Sequence, residues 1–194
     1  MRLDDLRKPG RMATTTEPTT GSVEAQLRNL IRDVPDYPRP GVTFKDITPL
    51  LADPAGLALA VELMVQPFRN QPVDAVVAAE SRGFIFGTAV AKALSKGFVP
   101  VRKPGKLPRA TRSHVYTLEY GTDTLEIHED ALRSGQSVLI VDDVLATGGT
   151  LEACCKLVRG LGARILGVAV LIELLALGGR AKLADHPVWS VLRY

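Results

Sequence analysis

The sequence predicts an α/β domain with a mainly parallel central sheet flanked by helices. Apolar runs that do not alternate with polar residues, at residues 73–79, 98–101, 138–141 and 165–172, suit strands buried on both faces. Between them lie stripes at helical spacing: Leu57, Val61, Met64, Val65 and Phe68, then Leu151, Cys154, Val158 and Leu161. Strands alternating with helices give a layered α/β fold. With 194 residues, 46% hydrophobic and 23% charged, the chain fits one globular domain with a sizeable core.

Taken in order, residues 1–21 are rich in Thr, Pro and charge and poor in residues to bury; they read as a mobile tail before one domain at 22–194. Val23, Leu27, Leu30 and Ile31 mark a short amphipathic helix ending before Pro35. Three prolines at 35, 38 and 40 make the next stretch stiff. Phe44 there is either a plug for the core or a stacking face for a flat ring. Asp53-Pro54 caps and starts the helix whose Leu57 stripe faces the core.

The strand at 73–79 runs into Glu80-Ser81-Arg82-Gly83-Phe84, and a helix follows to about Ser95. An arginine at a strand end, beside a hydroxyl and a glycine, can fork onto a pyrophosphate, or it is a surface cation. After residues 98–101 come Arg102, Lys103, Lys106 and Arg109 interleaved with Pro and Gly, a solvated basic loop or an anion site. Partial alternation over residues 112–127, with Gly121-Thr122-Asp123 at its middle, predicts a hairpin. Glycines 105 and 121 and few large apolar residues between 104 and 113 suggest that this region opens and closes. His114 and His128 lack acidic or cysteine companions at metal spacing and read as surface or loop residues.

The most informative stretch is residues 138–150. Four apolar residues lead into Asp142 and Asp143, then Val144-Leu145-Ala146-Thr147-Gly148-Gly149-Thr150, with a helical pattern opening at Leu151. Residues 146–150 can turn backbone N–H groups around an anion, with two hydroxyls and a helix N-terminus behind. A phosphate would repel the two acids, so they suit vicinal hydroxyls or a bound Mg²⁺. The ligand implied is a sugar phosphate. There is no Gly-Lys-Thr/Ser and no G-x-G-x-x-G in this stretch, which excludes a P-loop or a dinucleotide loop.

This stretch closely resembles the phosphoribosyl-pyrophosphate (PRPP) loop of type I phosphoribosyltransferases. Residues 34–48 resemble the N-terminal hood of the adenine-specific family, Glu80 to Phe84 its pyrophosphate loop, and Glu119-Tyr120 its mobile catalytic loop. The resemblance covers residues 22–194, four motifs in the family's order. It implies the type I phosphoribosyltransferase fold, with a hood of residues 22–50 plus a last strand at 188–194, and a mobile hairpin flap. It implies the reaction adenine + PRPP → AMP + pyrophosphate, a purine-salvage step with Mg²⁺ held through PRPP and water and by no direct protein ligand.

By the same resemblance Asp142 and Asp143 hold ribose, while Ala146, Thr147, Gly148, Gly149 and Thr150 hold the 5′-phosphate. Ser81, Arg82, Arg102, Lys103 and Lys106 hold pyrophosphate, Arg102 from across a dimer interface. Thr43, Phe44, Lys45 and Leu174 hold adenine, with Leu174 in a loop that closes over the base. Glu119 takes the proton from adenine, and Arg82 assists the chemistry. The peptide Glu80-Ser81 is expected to be cis. A homodimer is implied.

Other classes fare worse. A net charge of +3 argues against nucleic acid as partner and suits an anionic substrate. A PRPP-sensing regulator would need a nucleic-acid module, and the N-terminal residues are too few and irregular for one. An enzyme for another base is the second rival. The two cysteines, Cys154 and Cys155, are neighbours in an expected helix and cannot form an ordinary structural bridge, which suits a reduced, cytoplasmic setting. No apolar run is long enough to span a membrane, and no signal peptide is apparent.

Overall fold

The structure, a computed structural model, describes residues 20–117 and 121–194. Its centre is a five-stranded, all-parallel sheet in the order β4-β3-β7-β8-β9. The strands are β3 (Ala75–Ala79), β4 (Gly97–Val101), β7 (Ser137–Leu145), β8 (Arg164–Glu173) and β9 (Val188–Arg193). Successive side chains of these strands enter opposite cores. Val77, Ile140, Val168 and Val170 pack on one side with α5 (Gly149–Gly160). Val76, Leu139, Val141, Ala169 and Leu171 pack on the other with Met64, Phe86 and Val90. Residues of both parities are thus buried, which is why the apolar runs in the sequence do not alternate.

The second core is closed by α3 (Pro54–Val65) and α4 (Gly83–Ala93). Asp53 caps α3 by accepting a hydrogen bond from the Gly56 N–H at 2.6 Å, and Pro54 opens the helix. The stripe expected there does face inward: Met64 and Val65 are fully buried, and Leu57 and Val61 pack at its edge.

Two small antiparallel pairs flank the sheet. The hairpin β5 (Thr111–Thr117) and β6 (Thr122–His128) lies where the alternation placed it. It is tied to the end of β4 through a backbone bridge between Arg102 and Glu126. His114 and His128 lie on its strands, both half-buried. The hood has β1 (Arg32–Val34) paired with β2 (Phe44–Asp46), joined by the proline-rich turn. Leu27 of α1 (Thr20–Arg28) anchors it in the second core.

Two expectations change, and one element is new. Helix α1 ends at Arg28, because residues 32–34 pair with β2 rather than continue the helix. A short helix, α2 (Thr48–Ala52), follows the hood and had no expectation attached. The last strand, expected to build the hood, is an edge strand of the main sheet, parallel to β8. Its end touches the hood: Arg28 donates to the Arg193 carbonyl at 2.8 Å, and Lys45 sits 4.0 Å from the Tyr194 ring centroid. The expected tail at residues 1–19 lies outside the described residues.

Candidate active site

Where β3 and β7 end side by side, their carboxyl ends open into a cleft of about 510 Å³. Ligands of open parallel sheets sit at such strand ends. Three segments line it: Glu80 to Gly83 after β3, Asp142 to Leu151 around the end of β7, and Tyr37 and Phe44 from the hood. Chain regions more than a hundred residues apart in sequence thus meet in one place.

The two acids lie within β7 itself, which runs on to Leu145. Both are nearly buried. The Asp143 N–H donates to Asp142 Oδ1 at 2.9 Å. Burial pushes the Asp142 carboxyl well above the usual carboxylate range, and the neighbouring Asp143 adds to the rise. Arg82 answers this negative charge, its Nε 2.8 Å from Asp143 Oδ2. The same guanidinium lies 5.2 Å from the Phe44 ring centroid, and Tyr37 meets Phe44 edge-on at 5.3 Å.

The anion loop is tighter than expected. Helix α5 begins at Gly149, so Gly149 and Thr150 form its first turn and only residues 146–148 are free loop. N–H groups of a first helical turn have no partner within the helix and suit a phosphate as well as loop amides do. Gly148 turns the chain with φ of +79°, and a Cβ there would sit 2.5 Å from the Gly179 carbonyl oxygen. Only glycine fits that turn.

Of the residues expected in the site, Phe44, Ser81, Arg82, Asp142, Asp143 and Ala146 to Thr150 line the cleft together. The peptide Glu80-Ser81 is cis, as expected, and Tyr37-Pro38 is cis as well. The basic loop forms a rim beyond the lining. Arg102 Nε pairs with Glu80 Oε2 of its own chain at 2.6 Å. The Lys103 N–H donates to Glu80 Oε1 at 3.2 Å, while its ammonium pairs with Asp123 of the hairpin. Lys106 is exposed.

Thr43, Lys45 and Leu174 stand outside the cleft lining. Lys45 is drawn to Asp33 at 2.7 Å. Leu174 packs against the second core. Glu119 and Tyr120 lie outside the described residues. Of the lining residues to which the sequence reading gave no role, two carry polar or aromatic chemistry: Tyr37, an aromatic beside a proline in a stiff loop, and Glu80, whose carboxylate accepts from the Arg102 side chain and the Lys103 N–H.

Comparison with known proteins then decides the family. The phosphoribosyl transferase domain model matches residues 46–193. An adenine phosphoribosyltransferase of Rhodopirellula baltica is 58% identical over 168 residues, 87% of this chain and 82% of that protein. One from Koribacter versatilis is 52% identical, covering 92% of this chain and 98% of its own. The chain belongs to the adenine phosphoribosyltransferase family. Solved structures of the family superpose closely. That from Rhodothermus marinus has a TM-score of 0.85 at 52% identity, covering 90% of this chain and 99% of its own. The enzyme of Saccharomyces cerevisiae, solved with an imino-altritol bisphosphate and adenine, gives 0.83 at 38% identity, covering 88% and 99%. The five-stranded parallel sheet flanked by helices is the family's fold in this chain.

Proposed function

We propose that this chain transfers the 5-phosphoribosyl group from PRPP to adenine, giving AMP and pyrophosphate in purine salvage. The observation that carries the reading is the convergence of a paired-acid strand end, a phosphate loop and an aromatic hood face on one cleft. The 5′-phosphate fits residues 146–150, the ribose hydroxyls face Asp142 and Asp143, and the base stacks on Phe44. Held this way, the anomeric carbon lies between the departing pyrophosphate and the incoming nitrogen, which converts an encounter into an oriented reaction.

In the reaction the bond from C1 to the pyrophosphate oxygen breaks, and a bond from C1 to an imidazole nitrogen of adenine forms. Positive charge builds on the ribose ring, where the paired acids oppose it. Negative charge builds on the leaving group, where Arg82, Ser81 and the basic rim of Arg102, Lys103 and Lys106 receive it. Arg82 pairs with Asp143, so pyrophosphate oxygens compete with that carboxylate for the guanidinium. The proton on the adenine ring passes to a general base, for which the family resemblance assigns Glu119. Closure of the hairpin excludes water, which would otherwise hydrolyse PRPP. The base edge is read by the hood backbone from Thr43 to Lys45.

No group of three or more His, Cys, Asp or Glu side chains is placed to hold a metal among the described residues. The two acids alone suit hydroxyls and water better than a protein-bound ion. The family resemblance has Mg²⁺ enter with PRPP, and when bound it would supply charge neutralisation for the leaving pyrophosphate. We also propose a homodimer and a cytoplasmic setting. The second is supported by two buried, unpaired thiols, with Cys155 pushed up to about 11 by burial. No helix among the described residues is long and apolar enough to cross a membrane.

Replacing Asp142 and Asp143 together by Asn tests the assignment. AMP formation from adenine and PRPP, followed by absorbance, should fall by orders of magnitude while circular dichroism stays native. Normal turnover in the double variant would overturn the site.

A further inference from the structure

We infer that the turn behind the phosphate loop is its mould, and that Gly179, Arg180 and Glu173 are positioning residues for the 5′-phosphate. The inference rests on the function just proposed and deepens it, because none of these residues lines the cleft.

Gly179 is buried and touches the loop backbone to backbone. A Cβ on it would enter the van der Waals shell of the Ala146 carbonyl oxygen and lie 2.8 Å from the Gly148 nitrogen. From the other side, a Cβ on Gly148 would meet the Gly179 carbonyl. The two backbones pack directly, with Leu145 Cδ1 2.9 Å from where a Cβ on Gly179 would lie, so the position of residue 179 sets where the loop can lie.

That position is fixed by the next residue. Arg180 forks onto Glu173, Nε to Oε1 at 2.7 Å and Nη2 to Oε2 at 2.5 Å. It also donates to the Val188 carbonyl at 3.0 Å and to Ser190 Oγ at 3.0 Å. The Ser190 hydroxyl donates in turn to Glu173 Oε2 at 2.5 Å. Glu173 is itself buried at the end of β8 and pairs in register with Leu145, the residue before the loop. The Leu174 N–H donates to the Leu145 carbonyl at 2.9 Å. One carboxylate therefore fixes both the entry to the loop and the turn on which it rests.

A basket of N–H groups binds phosphate only while those groups converge, and a misplacement of about 1 Å can cost about a hundredfold. If the pair served stability alone, removing it would lower the melting temperature and weaken every ligand alike. As a mould it acts selectively: AMP and PRPP use the loop, whereas adenine on Phe44 does not touch it.

The test compares wild type with Gly179→Ala and Arg180→Ala. The dissociation constant of AMP is measured by calorimetry, and KM by steady-state assay for PRPP and for adenine at saturating PRPP. Both variants should weaken AMP and raise KM for PRPP about tenfold or more, with KM for adenine within about twofold of wild type. Should one variant fail to fold, the split in the other decides. Equal effects on PRPP and adenine, or none on either, would overturn the inference and leave the proposed reaction standing. A wild-type protein that binds neither AMP nor PRPP would overturn both.

Discussion

Asp142, proposed to bind ribose, burdens the fold that carries it. Its carboxyl is buried beside a second acid, and burial above all holds its proton to higher pH than usual. A carboxyl whose pKa is raised on folding binds more protons in the native than in the unfolded state. Its contribution to stability therefore declines as pH rises from the ordinary carboxylate value through the raised one. At neutral pH Asp142 destabilises the free protein. Asp142→Asn keeps an oxygen to accept from the Asp143 N–H and removes the charge, so it should raise the melting temperature by a few degrees. The same change should lower turnover by orders of magnitude. Calorimetric scanning beside an activity assay checks this, and a melting temperature lowered at neutral pH would contradict it.

Among the elements, the hairpin β5–β6 and the 173–183 segment behave oppositely. The basic rim at 102–106 and the hairpin are joined by few bonds: the Arg102–Glu126 bridge, the Lys103–Asp123 pair and the Gly105 N–H to Glu126 at 3.2 Å. Amide exchange over residues 102–117 should be fast in the free protein and slow when PRPP and an adenine analogue bind together. Equal protection in both states would argue against a closing flap. The 173–183 segment is instead clamped. The fork from Arg180 holds Glu173 below the usual carboxylate range, so this pair stabilises fully above the ordinary value of 4.5 and is lost as pH falls through the depressed one. Melting temperature measured into the acid range should drop less steeply in Glu173→Gln than in wild type. The strands of the main sheet were legible because burial on both faces leaves an unalternating run. The turn between β7 and α5 was legible because a run of small residues follows the apolar strand and a helical stripe follows it. The fate of Leu174 and Lys45 was not, since neither a strand end nor a β-bridge states which way its side chain turns. Lys45 follows Asp33 across the hood, and Leu174 follows the second core. The contact between Gly179 and Gly148 joins residues thirty-one apart through backbone alone, and no local pattern announces it.

For the whole molecule, the sheet supplies the edge at which the cleft opens and the hood an aromatic face on it, and the proposed function makes the hairpin a cover. Substrate choice belongs to this scale, because the proposed function assigns sugar phosphate and base to different parts of the fold. Adenine presents a donor at N6 and an acceptor at N1, whereas hypoxanthine presents an acceptor at O6 and a donor at N1. Fixed backbone groups on the hood cannot serve both, and the 173–179 loop carries no lysine to favour a 6-oxo group. Sites that hydrogen-bond their substrate reject the wrong partner by roughly 10⁴-fold. The most direct measurement is kcat/KM with PRPP for adenine, hypoxanthine and guanine under one set of conditions. The account predicts that adenine exceeds both oxopurines by about 10⁴, and comparable values for adenine and either oxopurine would contradict it.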